Sequence, residues 1–329
     1  MRVAVSGSIA SDHLMTFPGS FTEHLIDGQL ERVSLSFLAD ELQIRRGGVA
    51  ANICFGLGVL GLSPLLVGSA GADFGEHEAW LSKHGVDTSG VRISESKHTA
   101  RFVCTTDQAG NQIATFYAGA MAEAGQISLA EVAERAGGFA TAVISPNDPQ
   151  AMLAHTAECR DAGLDFLADP SQQLPRADEA MARALVDGAA GLFTNEYERS
   201  LLEQKTGWDQ RDILDRVGFW VTTHGPDGAE VHRKGEPGLG VPCVPARQAA
   251  DPTGVGDAFR AGFIAGTAWG LGDLRSAQLG CALATLALEA VGPQEYAFDR
   301  AALLPRLAAV YGDDAAAGLE PHLPAVSPA

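Results

Sequence analysis

The sequence predicts an α/β protein with a doubly wound, mainly parallel β-sheet sandwiched by helices, and with a small β-sheet lid. Short apolar runs alternate with amphipathic, Ala- and Leu-rich stretches, which is the pattern of βαβ units. Two β-like segments, residues 15–46 and 98–118, interrupt that alternation close to the carboxyl ends of core strands. We therefore expect an α/β core of residues 1–14, 47–97 and 119–329, with 15–46 and 98–118 as a β lid.

The chain begins with a strand and then departs from the βα alternation. Residues 3–5 are a short apolar run, typical of a buried parallel strand. Alternating residues such as 33–38 follow where a helix would be expected. In the second segment, strands at 99–106 and 112–117 flank the turn 107–111, a predicted hairpin. Together the two segments are expected to cover the ligand-binding edge of the sheet.

The remaining core elements follow regularly from Gly47 onward. Predicted helices cover residues 49–60, 73–84, 257–269, 273–290 and 300–311. Predicted strands cover residues 65–67, 91–93, 142–144, 164–167, 191–193 and 219–222. A meander over 229–244 precedes the last three helices, and the Ala- and Pro-rich tail from Asp313 is expected to fray.

Composition excludes several classes of function. The 329 residues include 23 basic and 41 acidic side chains, a net charge of −18, so a nucleic-acid-binding surface is not expected. Five scattered cysteines without a C-x-x-C pair indicate neither a disulfide framework nor a thiolate metal site, and favour a reducing, cytoplasmic location. The uncharged stretch 47–72 could cross a bilayer by length, but its glycines and Pro64 divide it into a helix and a strand, so we expect no membrane span.

The strongest chemical signal is the loop Asp251-Pro252-Thr253-Gly254-Val255-Gly256-Asp257, which runs into a helix with an apolar face. Gly254 and Gly256 allow backbone N–H groups to turn inward, and the helix adds its positive end, so the loop is suited to bind an anion. A carboxylate in that place suggests that Asp257 is a general base beside a developing negative charge. By itself, Asp257 would be better explained as a helix N-cap.

Other motif matches lack their required context. Residues 56–61 fit G-x-G-x-x-G, but they end a predicted helix instead of following a strand, which argues against a dinucleotide-binding dehydrogenase. Residues 73–75 match the kinase D-F-G triplet without the motifs that accompany it, and no G-x-x-x-x-G-K-[ST] occurs.

Polar side chains recur after successive predicted strands. Ser8 and Asp12 follow the first strand, where a carboxylate can accept hydrogen bonds from two adjacent sugar hydroxyls. Alone, Asp12 is equally consistent with a turn. Gly47-Gly48 opens a helix that carries Asn52, and further polar groups follow later strands at 169–173, 194–198 and 222–225. We expect them at one edge of the sheet.

The combination of Gly47-Gly48, Asn195-x-x-Glu198 and the loop 251–257 resembles the ribokinase-like (PfkB) carbohydrate kinases over essentially the whole chain. Pro252 departs from that pattern, because the family commonly has Thr there. Residues 6–14, 46–52 and 168–173 are similar to the bacterial adenosine kinases of actinobacterial type.

The resemblance implies ATP-dependent phosphorylation of the 5′-hydroxyl of adenosine to AMP, a purine salvage reaction. Asp257 would be the base, and the amides of Gly254, Val255 and Gly256 the anion hole. The implied substrate-binding residues are Ser8, Asp12, Ser36, Gly48, Asn52, Phe102, Phe116, Gln172, Gln173 and Arg176. The implied ATP-binding residues are Asn195, Thr223, Gly225, Thr253 and Gly256, with Glu198 holding Mg²⁺ through water and K⁺ near Asp251 as a further option.

The lid residues have implied roles with simpler alternatives. Phe102 and Phe116 would pack on the purine, or form the lid core; Gln172 and Gln173 would read the purine edge. Arg176 would clamp phosphate or cover the substrate, unless it is a surface arginine. The family also implies a homodimer through the lids, with Ser36 and Phe37 reaching into the partner's site.

Two alternatives to an adenosine kinase remain at this point. The same chemistry could act on ribose, another nucleoside or a fructose-type sugar, since Asp257 does not distinguish among them. The second alternative is a non-catalytic nucleoside-binding module on a kinase fold.

Overall fold

The computed structural model describes residues 2–24 and 36–326, and it confirms the predicted α/β architecture with a large sheet between helices and a separate small sheet. In chain order the strands are β1 (Val3–Ser6), β2 (Ala10–Thr16), β3 (Glu41–Gly47), β4 (Leu65–Ala70), β5 (Asp87–Ile93), β6 (Ala100–Thr106), β7 (Gln112–Tyr117), β8 (Thr141–Ile144), β9 (Asp165–Ala168), β10 (Gly191–Asn195), β11 (Trp220–Thr223), β12 (Ala229–His232) and β13 (Leu239–Val241). The α-helices are α1 (Val49–Val59), α2 (Gly75–Lys83), α3 (Leu129–Ala136), α4 (Pro149–Asp161), α5 (Glu179–Val186), α6 (Glu196–Thr206), α7 (Gln210–Leu214), α8 (Val255–Ala268), α9 (Gly272–Leu288), α10 (Arg300–Tyr311) and α11 (Asp313–Leu319).

The large sheet is doubly wound around its first strand. Its order is β13-β12-β11-β10-β9-β8-β1-β4-β5, and the pairs are parallel from β5 across to β11. Strands β12 and β13 add an antiparallel edge. Because β1 lies between β4 and β8, the chain winds outward in both directions from it. The crevice at the carboxyl end of such a switch point is where open α/β sheets bind ligands.

Helices cover both faces of this sheet, so its strands are buried on both sides. Val3 and Val5 of β1 belong to one apolar cluster and Ala4 to another, because side chains alternate across a strand. The first cluster includes the inward-facing apolar residues of α1, α8 and α9, and the second includes those of α4 and α5. Two buried faces explain why these strands read as continuous apolar runs in the sequence.

Helix α8 packs closely against α9. A Cβ added at Gly262 would lie 2.7 Å from the carbonyl oxygen of Leu279 and 2.8 Å from the Cα of Gly280, so glycines permit this approach. The contact fixes the direction of α8, whose first turn carries Asp257. The helix thereby holds the Asp257 side chain at the sheet edge where the parallel strands end.

The small sheet has the order β3-β2-β6-β7 and confirms the predicted hairpin. The Asp107 carboxyl closes its turn by accepting hydrogen bonds from the amides of Ala109 and Asn111 at 2.9 and 2.8 Å. The sheet begins at Ala10, earlier than the boundary at residue 15 that we expected, because Asp12 already pairs with Phe102.

The structure corrects one further expectation. Residues 313–322 are helical instead of frayed, since Ala315 and Leu319 are buried and Leu319 packs on the main core. The predicted alternating segment 33–38 falls partly outside the described residues, and 36–39 have no regular structure. Stretch 47–72 contains helix α1 and strand β4, and no helix of the described chain is long and apolar enough to cross a membrane.

Candidate active site

A cavity of about 770 Å³ lies between the carboxyl edge of the large sheet and the inner face of the small sheet. From the core it is lined by the predicted residues Ser8, Gly48, Asn52, Gln172, Gln173, Arg176, Thr253, Gly254, Gly256 and Asp257. From the small sheet it is lined by the predicted residues Asp12, Phe102 and Phe116. Segments far apart in sequence thus meet in one site of the size that holds a small-molecule ligand.

Six predicted residues do not line this cavity: Ser36, Val255, Asn195, Glu198, Thr223 and Gly225. Ser36 is exposed, and Phe37 packs on Phe17 and Phe21 of its own chain with ring centroids 4.9 and 4.8 Å apart. Phe37 thus belongs to the aromatic cluster of its own lid, and its reach into a partner's site stays a prediction.

Asp257 lies in the first turn of α8, just after Gly254, which adopts a left-handed φ of 76°. Its Oδ2 accepts a hydrogen bond of 2.8 Å from the Nδ2 of Asn52. Burial raises the pKa of Asp257 to about 7, while the Asn52 hydrogen bond and the nearby Arg260 guanidinium act in the opposite direction. A carboxyl with a pKa near neutral is suited to take a proton.

The loop before Asp257 is held by the side chain of Asp251. Its Oδ1 accepts from the Thr253 amide at 2.9 Å, and its Oδ2 accepts from the Gly292 amide at 3.1 Å and from Arg45 at 2.7 Å. Since none of these three contacts involves residue 252, the loop is held without the backbone N–H that Pro252 lacks. The Pro252 carbonyl accepts a long hydrogen bond of 3.4 Å from the amide of Val255.

Gly48 joins the lid to the helix that carries Asn52. It has a φ of 97°, and a Cβ there would lie 2.5 Å from the carbonyl oxygen of Ser8 and 2.7 Å from the amide nitrogen of Ala10. Only glycine fits this close crossing of two backbone segments. The crossing is closed by Ser8, whose hydroxyl accepts from the amide of Val49 at 3.0 Å.

Asp12 presents a carboxyl group to the cavity from β2. Burial raises the pKa of Asp12 to about 6, with Arg45 acting against that shift. Phe102 and Phe116 stand in the same row of the small sheet, because Asp12 pairs with Phe102 and Phe102 with Phe116. The inner face of the lid thus offers a carboxylate next to two aromatic rings.

Gln172, Gln173 and Arg176 lie on a short 3₁₀ turn after β9. Gln173 donates through its Nε2 to the carbonyl oxygen of Asn147 at 2.8 Å, and its Oε1 is buried without a partner among the described residues. That oxygen is an acceptor available to a ligand N–H. Gln172 and Arg176 are exposed at the cavity.

The predicted phosphate-donor residues lie at the ends of β10 and β11. Asn195 and Glu198 form a capping box at the start of α6, with both hydrogen bonds at 2.8 Å. Thr223 pairs with Asn195 across the two strands, and Gly225 follows with a φ of 56°. The hydroxyl of Ser171, which lines the cavity, donates to Glu198 at 2.9 Å and links the two regions.

A buried arginine sits between these two regions. Arg260 of α8 lies 2.7 Å from Asp169 and 3.8 Å from Glu198, and it donates to the carbonyl oxygen of Gly256 at 3.1 Å. Burial raises the pKa of Asp169 to about 6, and Arg260 opposes that shift. This guanidinium therefore balances the negative charge behind the loop that precedes Asp257.

Glu198 is the residue that we expect near a metal ion. In the part of the chain that the structure describes, no group of three or more His, Cys, Asp or Glu side chains could hold a metal ion. Glu198 is engaged by Asn195 and Ser171, so Mg²⁺ would reach it through water, as this strongly hydrated ion usually does.

Sequence reasoning missed Arg260, Gln294 and His77. A charged residue between Phe259 and Ala261 on an apolar helix face was a signal for Arg260. Gln294 donates to Asn52 Oδ1 at 2.9 Å, and its own Oε1 lies 3.0 Å from His77 Nε2. Neither residue belongs to a motif, and their contacts span more than 200 positions, so the sequence carried no signal for them.

Comparisons with known proteins agree with this geometry. Residues 12–299 match the pfkB family carbohydrate kinases. The structure of a Burkholderia thailandensis nucleoside kinase in complex with inosine is similar, with 34% identity, 94% of this chain and 98% of that chain covered, and a TM-score of 0.81.

Two curated relatives are similar in sequence. A nucleoside kinase of Methanocaldococcus jannaschii is 29% identical over 75% of this chain and 80% of its own length. An ATP-dependent ribose-1-phosphate kinase of Halopiger xanaduensis is 34% identical over 67% of this chain and 72% of its own length. The match over most of the chain, together with Asp257 behind its glycine loop and the lid-covered cavity, shows that this protein belongs to the pfkB family of carbohydrate kinases.

Proposed function

We propose that this chain is a nucleoside kinase that transfers the γ-phosphoryl group of ATP to the 5′-hydroxyl of adenosine. One observation carries the proposal: a single cavity holds the raised-pKa carboxyl of Asp257, the carboxylate of Asp12, and the rings of Phe102 and Phe116. These are a base, a partner for sugar hydroxyls and an aromatic surface for a flat group. A nucleoside combines the matching parts.

In the proposed reaction, Asp257 accepts the proton of the 5′-hydroxyl as that oxygen attacks the γ-phosphorus. The attacking oxygen gains its bond to phosphorus while the bond to the ADP oxygen breaks. Amides of Gly254, Val255 and Gly256 stabilise charge on the transferred group, because the first N–H groups of a helix have no intrahelical acceptor. Of the three, Val255 has the amide already directed toward the Pro252 carbonyl.

The proposed nucleoside contacts divide between sugar and base. Asp12 binds the two ribose hydroxyls, with Ser8, Gly48 and Asn52 completing the sugar site. The purine packs on Phe102 and Phe116. Gln172 and Gln173 read the purine edge, and Arg176 clamps phosphate or covers the substrate. The Oε1 atom of Gln173 is buried without a partner among the described residues, which supports a role in accepting an N–H of the base.

The proposed ATP site uses Thr253 and Gly256 from the loop, and Asn195, Thr223 and Gly225 from the neighbouring strand ends. Mg²⁺ bound through water near Glu198 would neutralise charge on the phosphates. The proposal includes no K⁺ at Asp251, because the Arg45 guanidinium at 2.7 Å already neutralises that carboxylate.

We also propose that two copies pair through the outer face of the lid. Leu42 and Ile113 stand in one row of the sheet, opposite to the face of Asp12, and Ile44 shares their face. Leu42 is 57% exposed, Ile113 46% and Ile44 62%, which is a large apolar area for a face in contact with water. In such a pair Ser36 would reach the partner's cavity. Ile44→Lys should convert a dimer into a monomer in sedimentation; a wild-type monomer at micromolar concentration would contradict this.

The names of relatives support a nucleoside more than a free sugar, but they leave adenosine as our own proposal. Adenosine, inosine, guanosine, cytidine, ribose, ribose-1-phosphate and fructose should be assayed in parallel with ATP and Mg²⁺ for ADP release. We expect the highest kcat/KM with adenosine. A preference for ribose or fructose would refute the nucleoside assignment, and a preference for another nucleoside would refute adenosine alone.

A further inference from the structure

We infer that Gln294 and His77 are positioning residues for phosphoryl transfer: through Asn52 they hold Asp257 with one carboxyl oxygen fixed and the other free to receive the substrate proton. This inference rests on the proposed role of Asp257 as the base. It stands on a continuous line of hydrogen bonds that begins outside the cavity and ends at that carboxyl group.

The line joins four separate parts of the fold. His77 Nε2 of α2 lies 3.0 Å from Gln294 Oε1, and Gln294 follows α9. Gln294 Nε2 donates to Asn52 Oδ1 of α1 at 2.9 Å, and Asn52 Nδ2 donates to Asp257 Oδ2 of α8 at 2.8 Å. His77, Gln294 and Asn52 are 8%, 1% and 6% exposed, so water does not readily replace these contacts.

The direction of every bond follows from the carboxylate. An ionised Asp257 only accepts, so Asn52 must present its amide N–H₂ and keep its oxygen for Gln294. Gln294 must then donate to Asn52 and accept from His77. Burial lowers the pKa of His77 to about 4, so the ring is neutral near pH 7, with its proton on Nε2. Each amide has one allowed orientation.

This order has a consequence for the reaction. One lone pair of Asp257 Oδ2 already accepts from Asn52, which makes that oxygen the weaker proton acceptor. The proton of the 5′-hydroxyl therefore goes to Oδ1, the less engaged oxygen. If Gln294 no longer donates, the Asn52 amide can rotate and turn its oxygen toward the carboxylate, which disfavours the ionised form of the base.

Other charged groups face Asp257 from neighbouring elements. Arg260 favours the ionised carboxyl, whereas Asp169 and Glu198 oppose it. Tyr296, two residues after Gln294, has a phenol pKa raised by burial and by Asp257, so it stays neutral. Arg46 faces His77 and also disfavours its charged form. Substitutions of Gln294 and His77 leave all of these groups in place.

The test compares the pH dependence of kcat for the wild type, Gln294→Leu, Gln294→Glu and His77→Phe with adenosine and ATP. Gln294→Leu should raise the pKa of the acid limb by about one unit, which lowers kcat at pH 7 about fivefold because the wild-type base has a pKa of about 7. Gln294→Glu keeps the shape of the side chain, but the ionised carboxylate has no N–H₂ group to donate to Asn52. Its kcat should therefore stay as low as that of Gln294→Leu. His77→Phe keeps the ring and should shift the limb in the same direction by a smaller amount. The KM for ATP should stay within about twofold of wild type, because no nucleotide contact changes.

Gln278→Leu is the matched control. Gln278 is another buried glutamine, 5% exposed on α9, and it binds Arg275 instead of the site. A pH profile for Gln294→Leu that overlays those of the wild type and Gln278→Leu would overturn the inference. If Gln294→Leu does not fold by circular dichroism, an unshifted limb in His77→Phe overturns it equally. Asp257→Asn separates the two claims. Turnover close to wild type in Asp257→Asn refutes the base, whereas a loss of about 10²-fold or more there, together with an unshifted Gln294→Leu, refutes only the positioning.

Discussion

Replacing the buried Arg260 with Met should destabilise the protein in a pH-dependent way. The guanidinium is 2.7 Å from Asp169 and 3.8 Å from Glu198, and Asp169 is only 1% exposed. Methionine fills much of the volume but leaves those carboxyls without a cation. Breaking a buried pair from one side usually costs about 3–5 kcal/mol, and we expect that loss at pH 8.

The pH dependence follows from the pKa of Asp169. Burial raises it from 3.8 to about 6 even beside Arg260, and that shift corresponds to about 3 kcal/mol of destabilisation when the group is ionised. Since the folded state binds this proton more tightly than the unfolded state, stability falls as pH rises from about 4 through 6. Without Arg260 the folded pKa rises further, so Asp169 is protonated at pH 5 and the loss there is smaller.

Urea unfolding at pH 5 and pH 8 measures both effects. Arg233→Met is the matched control, because Arg233 pairs with Asp273 at the surface with 38% of its side chain exposed. That change should cost no more than about 1 kcal/mol, with little dependence on pH. A loss below about 1 kcal/mol for Arg260→Met at both pH values would refute the reasoning, as would an equal loss at pH 5 and pH 8.

Three further predictions concern the site itself. Gly48→Ala should reduce the free energy of unfolding by about 1–3 kcal/mol and raise the KM for adenosine, because a Cβ at a φ of 97° would lie 2.5 Å from the Ser8 carbonyl oxygen. Unchanged urea unfolding and an unchanged KM would contradict this prediction. Gln173→Ala should raise the KM for adenosine about three- to tenfold while the KM for ATP stays near wild type; an unchanged KM for adenosine would rule out a role for this residue. The kcat of the wild type should fall as pH drops below about 7, since Asp257 must be ionised to take a proton; a flat profile from pH 5 to 8 would count against this base.

Most of the fold was accessible from local patterns. The βα alternation located the core strands because a strand buried on both faces reads as an apolar run, as in Val3–Ser6. The lid boundary was placed too late because β2 begins with polar residues such as Ser11 and Asp12, which match no apolar pattern. The C-terminal tail looked frayed by composition, but burial of Leu319 against the core orders it.

The site was accessible wherever a short motif carried it. Asp257, Gly48 and Asn52 lie in such motifs, and the structure brings them to one cavity. Sequence could not show that Asn52 binds Asp257, since a hydrogen bond between residues 205 positions apart depends on how α1 and α8 pack. For the same reason Gln294 was not found, and Arg45 was not recognised as the cation beside Asp251.

The role of Asp257 as the base is tested by measuring turnover and binding together in Asp257→Asn. We expect ADP release with adenosine and ATP to fall by at least about 10²-fold, because general base catalysis contributes that much or more. Adenosine should still bind in calorimetry with nearly the wild-type Kd, because the hydroxyl partner Asp12 and the rings of Phe102 and Phe116 are untouched. Turnover close to wild type in Asp257→Asn would contradict the account, and so would a wild-type protein that binds adenosine without releasing ADP.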